Sequence, residues 1–392
     1  MLVPKLRFKR EDGTDYPEWE QYRLEDTVDF LDEKRKPITS KYRKAGQYPY
    51  YGASGIIDFI DDYIFDEELV LLSEDGANIV DRNYRVAFIA TGKYWVNNHA
   101  HCLRPKQGFA SYFISEALEN IDYTVYNTGS AQPKLNQEVC RNLPLMYPCL
   151  EEQQKIANFL STVDEVIAQS EVEVQNLEQQ KKAAMQKIFS QEVRFKREDG
   201  TDYPEWEEKQ LGSICDMIGD GLHKAPLYDE NGDYYFINGN NLKNGKIVIE
   251  KETPKVSVGT LQKSDKSLDT ATILMSINGT IGNLAFYQDE KIMLGKSVAY
   301  LKVGKNVCKK YIYSVLQTRK IIDSFKLSLT GTTIKNLGLT AIRDTFIFIP
   351  CLEEQRKIAD FLSAYDDAIS YAKQELDKWK ELKKGLLQQM FV

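Results

Sequence analysis

The sequence has few of the features that mark membrane, secreted or metal-binding proteins. Its longest apolar stretch, from Phe346 to Leu352, is far below the roughly 18 residues of a membrane-spanning helix. No apolar signal region follows the N-terminal basic residues, so we expect a cytoplasmic protein without a membrane partner. The six cysteines show no C-x-x-C spacing and are expected to be reduced thiols.

Histidine is scarce as well, with three in 392 residues. His99 and His101 form an H-x-H pair, but no other ligand cluster accompanies them, and we predict no metal site. No cofactor is expected in this chain.

Motifs of common enzymes are missing too. The sequence has no Pro-Pro dipeptide, which excludes the Asn/Asp-Pro-Pro-aromatic motif of amino-methyltransferases. It has no Pro-Asp dipeptide either, which argues against a nuclease of the Pro-Asp type. Gly295-Lys296-Ser297 ends like a phosphate-binding loop, but Glu290 stands where that loop requires its first glycine. These absences favour a recognition protein. An enzyme in which one part has become catalytic is the less favoured alternative.

The charge is acidic overall but unevenly distributed. The formal net charge is −7, from 51 basic and 58 acidic residues. Residues 208–350 nevertheless contain more basic than acidic side chains. Because the local field matters more than net charge for binding a polyanion, a nucleic-acid partner stays open.

An internal repeat organises the chain. The run RFKREDGTDYPEWE at residues 7–20 recurs unchanged at 194–207, and PCLEEQ at 148–153 recurs at 350–355. The regions between these blocks differ from each other. We conclude that the chain is two copies of one unit, each with constant borders and a divergent interior.

Each copy ends in a polar, glycine-poor stretch with a heptad pattern. Apolar residues recur in steps of four and three from Ile156 to Ile188 and from Ile358 to Met390, and Lys181 and Lys383 interrupt the two series at the same place. A helix of about 40 residues must bury its apolar seam to be stable. We therefore expect the two helices to pair as an antiparallel coiled coil. The alternative is that each helix packs on its own domain.

The divergent interiors predict a mixed fold. Apolar runs at 69–73, 272–276, 86–90 and 284–287 predict strands, and 109–120 and 309–326 predict helices. The fold class is therefore α+β, with two strand-rich domains that are each followed by a long helix. The predicted boundaries are 1–149 for the first domain, 150–190 for its helix, 191–349 for the second domain and 350–392 for its helix.

The loops of both domains offer amide, hydroxyl and cationic side chains. Such groups hydrogen-bond to bases and phosphates, although Gly/Asn/Ser turns are common in any strand-rich domain. The first-domain candidates are Ser54, Asn78, Asn97, Asn98, His99, Ser130, Gln132 and Lys134. Those of the second domain are Asn240, Asn241, Asn278, Thr280, Lys296, Ser297, Thr332, Thr333 and Lys335. Trp19 and Trp206, in the constant lead-in, are predicted to be packing residues.

The sequence closely resembles the specificity (S) subunits of type I restriction-modification systems. The likeness spans essentially the whole chain, and residues 148–160 and 350–362 follow the P-x-x-x-E-Q-x-x-I-x-x-x-L pattern of that family. Residues 51–56 and 128–135 also look like loops of the family's target-recognition domains.

The resemblance implies a subunit without catalysis of its own that reads a bipartite double-stranded DNA site, one half per domain. It implies assembly with two methyltransferase (M) subunits, which use S-adenosylmethionine, and with restriction and translocation (R) subunits, which use ATP and Mg. The alternative from another class is a coiled-coil adaptor with two protein-binding heads and no DNA specificity.

Overall fold

The computed structural model describes residues 4–129, 131–262, 266–331 and 335–391. It divides into two compact units, one formed by residues 1–172 and 373–392 and the other by 173–372. Within the described ranges, no helix is both long and apolar enough to cross a membrane.

The first unit contains two sheets and a short pair of strands. The sheet orders are β2-β9-β6-β7 and β4-β3-β8-β5, and β1 pairs with β10. The strands are β1 Glu20–Arg23, β2 Val28–Phe30, β3 Ala45–Gly52, β4 Gly55–Ile60, β5 Phe65–Asp66, β6 Leu69–Ser73, β7 Ala87–Ala90, β8 Lys93–Val96, β9 Ala100–Pro105 and β10 Pro144–Tyr147. The helices are α1 Leu24–Thr27, α2 Asn78–Asp81, α3 Ser111–Glu119, α4 Gln137–Arg141 and α5 Leu150–Phe189, the last of which continues into the second unit.

The second unit repeats this plan. Its sheets are β12-β20-β17-β18 and β16-β13-β19, with the pairs β11-β23, β14-β15 and β21-β22. The strands are β11 Glu207–Gln210, β12 Cys215–Asp220, β13 Tyr234–Ile237, β14 Leu242–Lys243, β15 Lys246–Ile247, β16 Lys255–Val256, β17 Thr272–Ser276, β18 Leu284–Phe286, β19 Ile292–Leu294, β20 Val298–Val303, β21 Leu329–Thr330, β22 Asn336–Leu337 and β23 Phe346–Ile349. The helices are α6 Leu211–Ile214, α7 Val258–Gln262, α8 Lys309–Leu316, α9 Arg319–Leu327, α10 Leu339–Arg343 and α11 Leu352–Met390, which begins here and ends in the first unit.

The central strands of both units are buried along their whole length. Every residue of β6 and of β17 is buried, as expected for strands covered on both faces. β3 and β8 are parallel, and so are β13 and β19. The predicted strands are confirmed, and so is a helix at 109–120. The predicted helix at 309–326 is interrupted, because α8 ends at Leu316 and the Thr318 hydroxyl turns back to donate to the Val315 carbonyl at 2.7 Å.

The constant lead-in is clamped to the start of each long helix. Arg7 donates two hydrogen bonds to the buried Glu152 carboxylate, at 3.1 and 2.8 Å, and Arg194 does the same to Glu354 at 3.3 and 3.0 Å. Trp19 and Trp206 are buried, which confirms that they pack in the core. The two repeated blocks therefore contact each other in both units.

The long helices pair antiparallel within each unit. In the first unit Lys383 is 2.7 Å from Asp164 and Lys380 is 2.7 Å from Glu171, so the numbering falls along α11 as it rises along α5. The second unit contains the reciprocal contact, in which Lys181 is 2.6 Å from Asp366. The lysines that interrupt the two heptad series are thus matched by aspartates on the opposite helix.

The seams also reach the domain cores. Ile156 and Leu160 pack in one cluster with Trp19, and Ile358 and Leu362 pack in one cluster with Trp206. The expected coiled coil is present, and its helices contact their own domains as well.

Candidate nucleic-acid interface

Several loops of the first unit meet where β6 ends. The Ser73 hydroxyl donates to the Ala53 carbonyl, which fastens the β3–β4 turn to this strand. The loop after β8 joins the same edge, because the Asn97 N–H donates to the Tyr51 carbonyl at 3.0 Å. Both turns carry predicted site residues, and the fold brings them together.

Glu74, the residue after β6, connects two more segments through its backbone. Its N–H donates to the His99 carbonyl at 2.9 Å, and its carbonyl accepts the Leu135 N–H at 2.7 Å. Gly76 adds a bond from its N–H to the Pro133 carbonyl at 3.0 Å. The loop before α4 is therefore tied to the ends of β6 and β9.

Charged side chains cross this loop cluster. Arg35 lies 2.6 Å from one Glu74 carboxylate oxygen, and Lys134 lies 3.2 Å from the other. His99 contacts Asp75 at 2.9 Å. The Glu74 carboxylate is only 14% exposed, whereas Lys134 is 48% and His99 is 47% exposed, so a ligand can reach these two side chains.

A buried ion pair between His101 and Asp32 contacts the loop cluster through the Leu135 carbonyl. His101 Nδ1 lies 2.6 Å from Asp32, and its Nε2 lies 2.8 Å from the Leu135 carbonyl. Both ring nitrogens thus face acceptors, and both must carry a proton. Burial alone would lower the pKa of His101, but its hydrogen bond to Asp32 raises that pKa to about 10. Burial likewise acts to raise the pKa of Asp32, but His101 holds it below its usual value.

The second unit contains the same backbone frame where β17 ends. The Ile277 N–H donates to the Ser297 carbonyl at 2.9 Å, and its carbonyl accepts the Leu337 N–H at 2.9 Å. The Gly279 N–H donates to the Lys335 carbonyl at 3.2 Å. These bonds repeat, one for one, those made by Glu74 and Gly76.

The shared hydrogen bonds establish which positions correspond in the two domains. The isolated bridge between Asp75 and Lys134 is matched by one between Asn278 and Asn336. The matched pairs are Glu74 with Ile277, Asp75 with Asn278, His99 with Ser297, Pro133 with Lys335 and Lys134 with Asn336. The frame is constant, while the side chains that it carries differ in charge.

The supporting layer also corresponds, with one substitution. Asp32 lies two residues after β2, and Asp220 is the last residue of the matched strand β12. Each contacts the side chain three residues later, Arg35 at 3.4 Å and His223 at 2.7 Å. The strand residue that faces Asp220 is Ala299, at the position of His101. Only the first domain therefore has the buried imidazolium among these matched positions.

The predicted site residues fall into three groups. Those with exposed side chains are Ser54, Asn98, His99, Gln132, Lys134, Asn240, Thr280, Lys296 and Lys335. Those whose side chains hydrogen-bond within the loops are Asn78, Asn97, Asn241, Asn278 and Ser297. Ser130, Thr332 and Thr333 lie outside the described residues. DNA contact by any of them stays a prediction.

The second group closes loops. The Asn78 amide donates to the Tyr84 carbonyl at 2.9 Å and accepts the Tyr84 N–H at 2.7 Å. Asn241 accepts the N–H of Asn238 at 2.9 Å, and the Ser297 hydroxyl donates to the Asn238 amide oxygen at 3.0 Å. These side chains shape the surface on which the exposed group is displayed.

Sequence reasoning missed the supporting charges Asp32, Arg35, Asp220 and His223. Asp32 and His101 are 69 positions apart, so no local pattern relates them. The two histidines of the H-x-H pair contact different carboxylates, His99 that of Asp75 and His101 that of Asp32. Across the part of the chain that is described, no group of three or more His, Cys, Asp or Glu side chains is placed to hold a metal ion.

Comparison with known proteins identifies the family. The sequence profile described as "Type I restriction modification DNA specificity domain" matches residues 16–179 and again 203–380. The chain belongs to this family. It is a type I specificity subunit with two copies of the DNA specificity domain, and DNA sequence recognition is its role.

Individual relatives agree over the whole length. The MjaVIII specificity subunit of Methanocaldococcus jannaschii, a type I restriction enzyme subunit, is 23% identical over 97% of this chain and 94% of its own. The S subunit of a type I restriction-modification system from M. genitalium has the same fold, with a TM-score of 0.66 at 16% identity, over 100% of this chain and 99% of that one. A chain from a study of type I complex assembly has a TM-score of 0.53 at 16% identity, over 95% and 97% of the two chains.

Proposed function

We propose that this specificity subunit reads a bipartite double-stranded DNA target, with one half-site for each recognition domain. The observation that carries this proposal is the loop frame, which occurs twice with the same hydrogen bonds and with different side chains. Equal frames present their side chains to DNA in equal geometry, and unequal side chains select different bases. Two unlike half-sites follow from this arrangement.

The exposed side chains have the chemistry of base and phosphate recognition. Lysine pairs with guanine in the major groove, asparagine and glutamine pair with adenine, and threonine or serine hydroxyls bond to either bases or phosphates. Lys296 and Lys335 give the second cluster two exposed cations, whereas in the first cluster Lys134 lies beside acidic groups. Binding to DNA should therefore depend on salt more strongly through the second domain.

The constant surfaces support a second part of the proposal, the binding of two like methyltransferase subunits. The lead-in and the helix start have the same sequence and the same clamp in both units, through Arg7 with Glu152 and Arg194 with Glu354. A partner that recognises one such surface will recognise the other. Restriction subunits complete the complex, and S-adenosylmethionine, ATP and Mg belong to the partner subunits. In this proposal the chain itself performs no catalysis; its cytoplasmic location stays a prediction.

The experiment is to co-express the chain with its methyltransferase subunit and to map the methylated adenines. A split recognition sequence with an unspecified gap is expected. Residues 21–147 are then exchanged for the corresponding region of a relative, with the borders kept. One half of the methylated sequence should change while the other half stays the same.

Two results would count against modular reading: a change in both halves, or none in a complex that still assembles. If the purified complex binds all DNA sequences equally and methylates none of them selectively, the alternative of a protein-binding adaptor is favoured. The matched control exchanges residues 208–349 for the corresponding region of the same relative. This exchange leaves both lead-ins and the loops of the first domain unchanged, and it should alter only the other half of the methylated sequence.

A further inference from the structure

At one matched position of the loop frame, the first domain has a cation, Lys134, and the second has a neutral amide, Asn336. Lys134 and Asn336 each pair with the matched residue of the loop that follows the central strand, Asp75 in one domain and Asn278 in the other. The Thr128 hydroxyl donates to the Lys134 carbonyl at 3.0 Å. Its counterpart, the Thr330 hydroxyl, donates to the Asn336 carbonyl at 3.3 Å. Lys134 and Asn336 therefore leave the backbone at the same point of the frame.

The difference between lysine and asparagine at this position indicates whether the position contacts a phosphate or a base. The phosphate backbone is the same along any duplex, so a position that neutralises a phosphate in one domain is expected to carry a cation in the other domain as well. A neutral amide in one domain does not neutralise a phosphate. Base edges, in contrast, differ from one half-site to the other, and lysine and asparagine match different bases.

Lys134 is also held in place. Its ammonium lies 3.2 Å from Glu74, whose other carboxylate oxygen is 2.6 Å from Arg35. Arg35 is 13% exposed and donates in addition to the Ala100 carbonyl at 2.9 Å. A lysine that is restrained before DNA arrives loses less side-chain entropy on binding, and a restrained donor discriminates bases better than a freely rotating one.

We propose that Lys134 and Asn336 are matched specificity-determining residues, which read one base each in the two half-sites, and that Glu74 is the positioning residue for Lys134. This inference rests on the proposed function. It adds which position in each domain selects a base. It also assigns Arg35 and Glu74 the role of holding the lysine of the first domain, whereas the second domain has Ile277 in the place of Glu74.

The test uses the full chain in complex with its methyltransferase subunit and a library of duplexes with randomised half-sites. The variants are Lys134→Asn, Asn336→Lys and Glu74→Gln, and Lys44→Asn is the control. Lys44 is exposed and precedes β3, whose other end carries the candidate turn, so this substitution makes the same charge change away from the loops.

Lys134→Asn should change the preferred base at one position of the first half-site, by about 5- to 150-fold in relative affinity, and leave the second half-site as it was. Asn336→Lys should do the converse. Glu74→Gln should weaken discrimination at the same position as Lys134→Asn without moving the preference elsewhere. Lys44→Asn should leave both half-sites unchanged.

The proposal is overturned if Lys134→Asn weakens binding to all sequences alike and lowers the salt slope by about one, since that is the behaviour of a phosphate contact. It is also overturned if both half-sites keep their preferences in Lys134→Asn and Asn336→Lys. These results differ from failure of the proposed function, in which the unaltered complex shows no split recognition sequence at all and both ideas fall together.

Discussion

The first and second recognition domains hold their loops with the same backbone hydrogen bonds but with different side chains. Each joins its central strand to neighbouring loops through the same backbone bonds, yet Glu74 and Ile277 occupy the same point of that frame. In the first domain a buried imidazolium, His101, supports the loops, whereas Ala299 stands there in the second. Backbone geometry is thus the constant element of the recognition surface, and side-chain charge is the variable one.

The lead-in clamps show a smaller asymmetry of the same kind. The Trp206 indole donates to Glu354 at 3.1 Å, so this carboxylate has a second donor besides Arg194. The matching indole of Trp19 is buried without a hydrogen-bond partner among the described residues. Identical sequence therefore does not guarantee identical contacts, and the two clamps should differ in strength.

Breaking the clamps should have the largest effect on stability. Arg7→Met leaves the buried carboxylate of Glu152 without its cation, which should cost about 3–5 kcal/mol in the free energy of unfolding. Arg194→Met should cost about 1 kcal/mol less, because the Trp206 indole still donates to Glu354. Denaturant unfolding of both variants checks this. Equal losses would contradict the difference inferred for the two clamps.

Removal of the buried imidazolium should have a smaller effect. His101→Ala leaves Asp32 with its hydrogen bonds from Gln137 at 2.8 Å and from the Cys102 N–H at 2.9 Å, so we expect a loss of about 2–3 kcal/mol. The first domain should unfold earlier while the second is unaffected, which limited proteolysis with fragment mapping can resolve. Simultaneous cleavage in both domains would show that the ion pair does not stabilise the first domain locally.

The same residue makes stability depend on pH. The pKa of His101 in the folded protein, about 10, is above its ordinary value near 6.5. The charged imidazole therefore contributes fully to the free energy of unfolding below about pH 6.5, and this contribution is lost as the pH rises through 10. The pKa of Asp32 is lowered, and its contribution is lost as the pH falls below its ordinary value of 3.8. The difference in unfolding temperature between the wild type and His101→Ala should therefore shrink from pH 6.5 to pH 10. A constant difference over this range would contradict a charged imidazole.

Substitution of the lysines in the helix seams should change the free energy of unfolding least. Lys383 contacts Asp164 at 2.7 Å and also approaches Glu116 at 3.5 Å, whereas Lys181 contacts Asp366 at 2.6 Å. Lys383→Met should cost about 1–2 kcal/mol, because buried Glu116 loses a nearby cation, and Lys181→Met should change stability by less than about 1 kcal/mol. Thermal unfolding of the two single variants measures the contrast, which would be refuted if Lys181→Met were the more damaging.

The features that could be predicted from sequence are local or repeated. The heptad series needs only the spacing of residues such as Ile156 and Leu160, and the central strands are continuous apolar runs. The repeat itself compares the chain with itself. Each of these signals lies within a short window or in an exact match, and each was confirmed by the structure.

The features that could not be predicted depend on residues far apart in the chain. Parallel pairing of β3 with β8, and the contact of Arg35 with Glu74, arise only when the domain folds. Loop residues were recognised by their type, which does not separate Asn98, an exposed side chain, from Asn97, a buried one. Side-chain type shows which groups can bind DNA, and three-dimensional position decides which of them face outward.

One measurement tests most directly the claim that the two domains are independent readers on a common frame. Residues 208–349 are replaced by a second copy of residues 21–147 between the unchanged borders, and the methylated sequences of the assembled complex are mapped. The account predicts that the first half-site now occurs twice and that the second half-site disappears. Retention of the original second half-site in an assembled, active complex would contradict it.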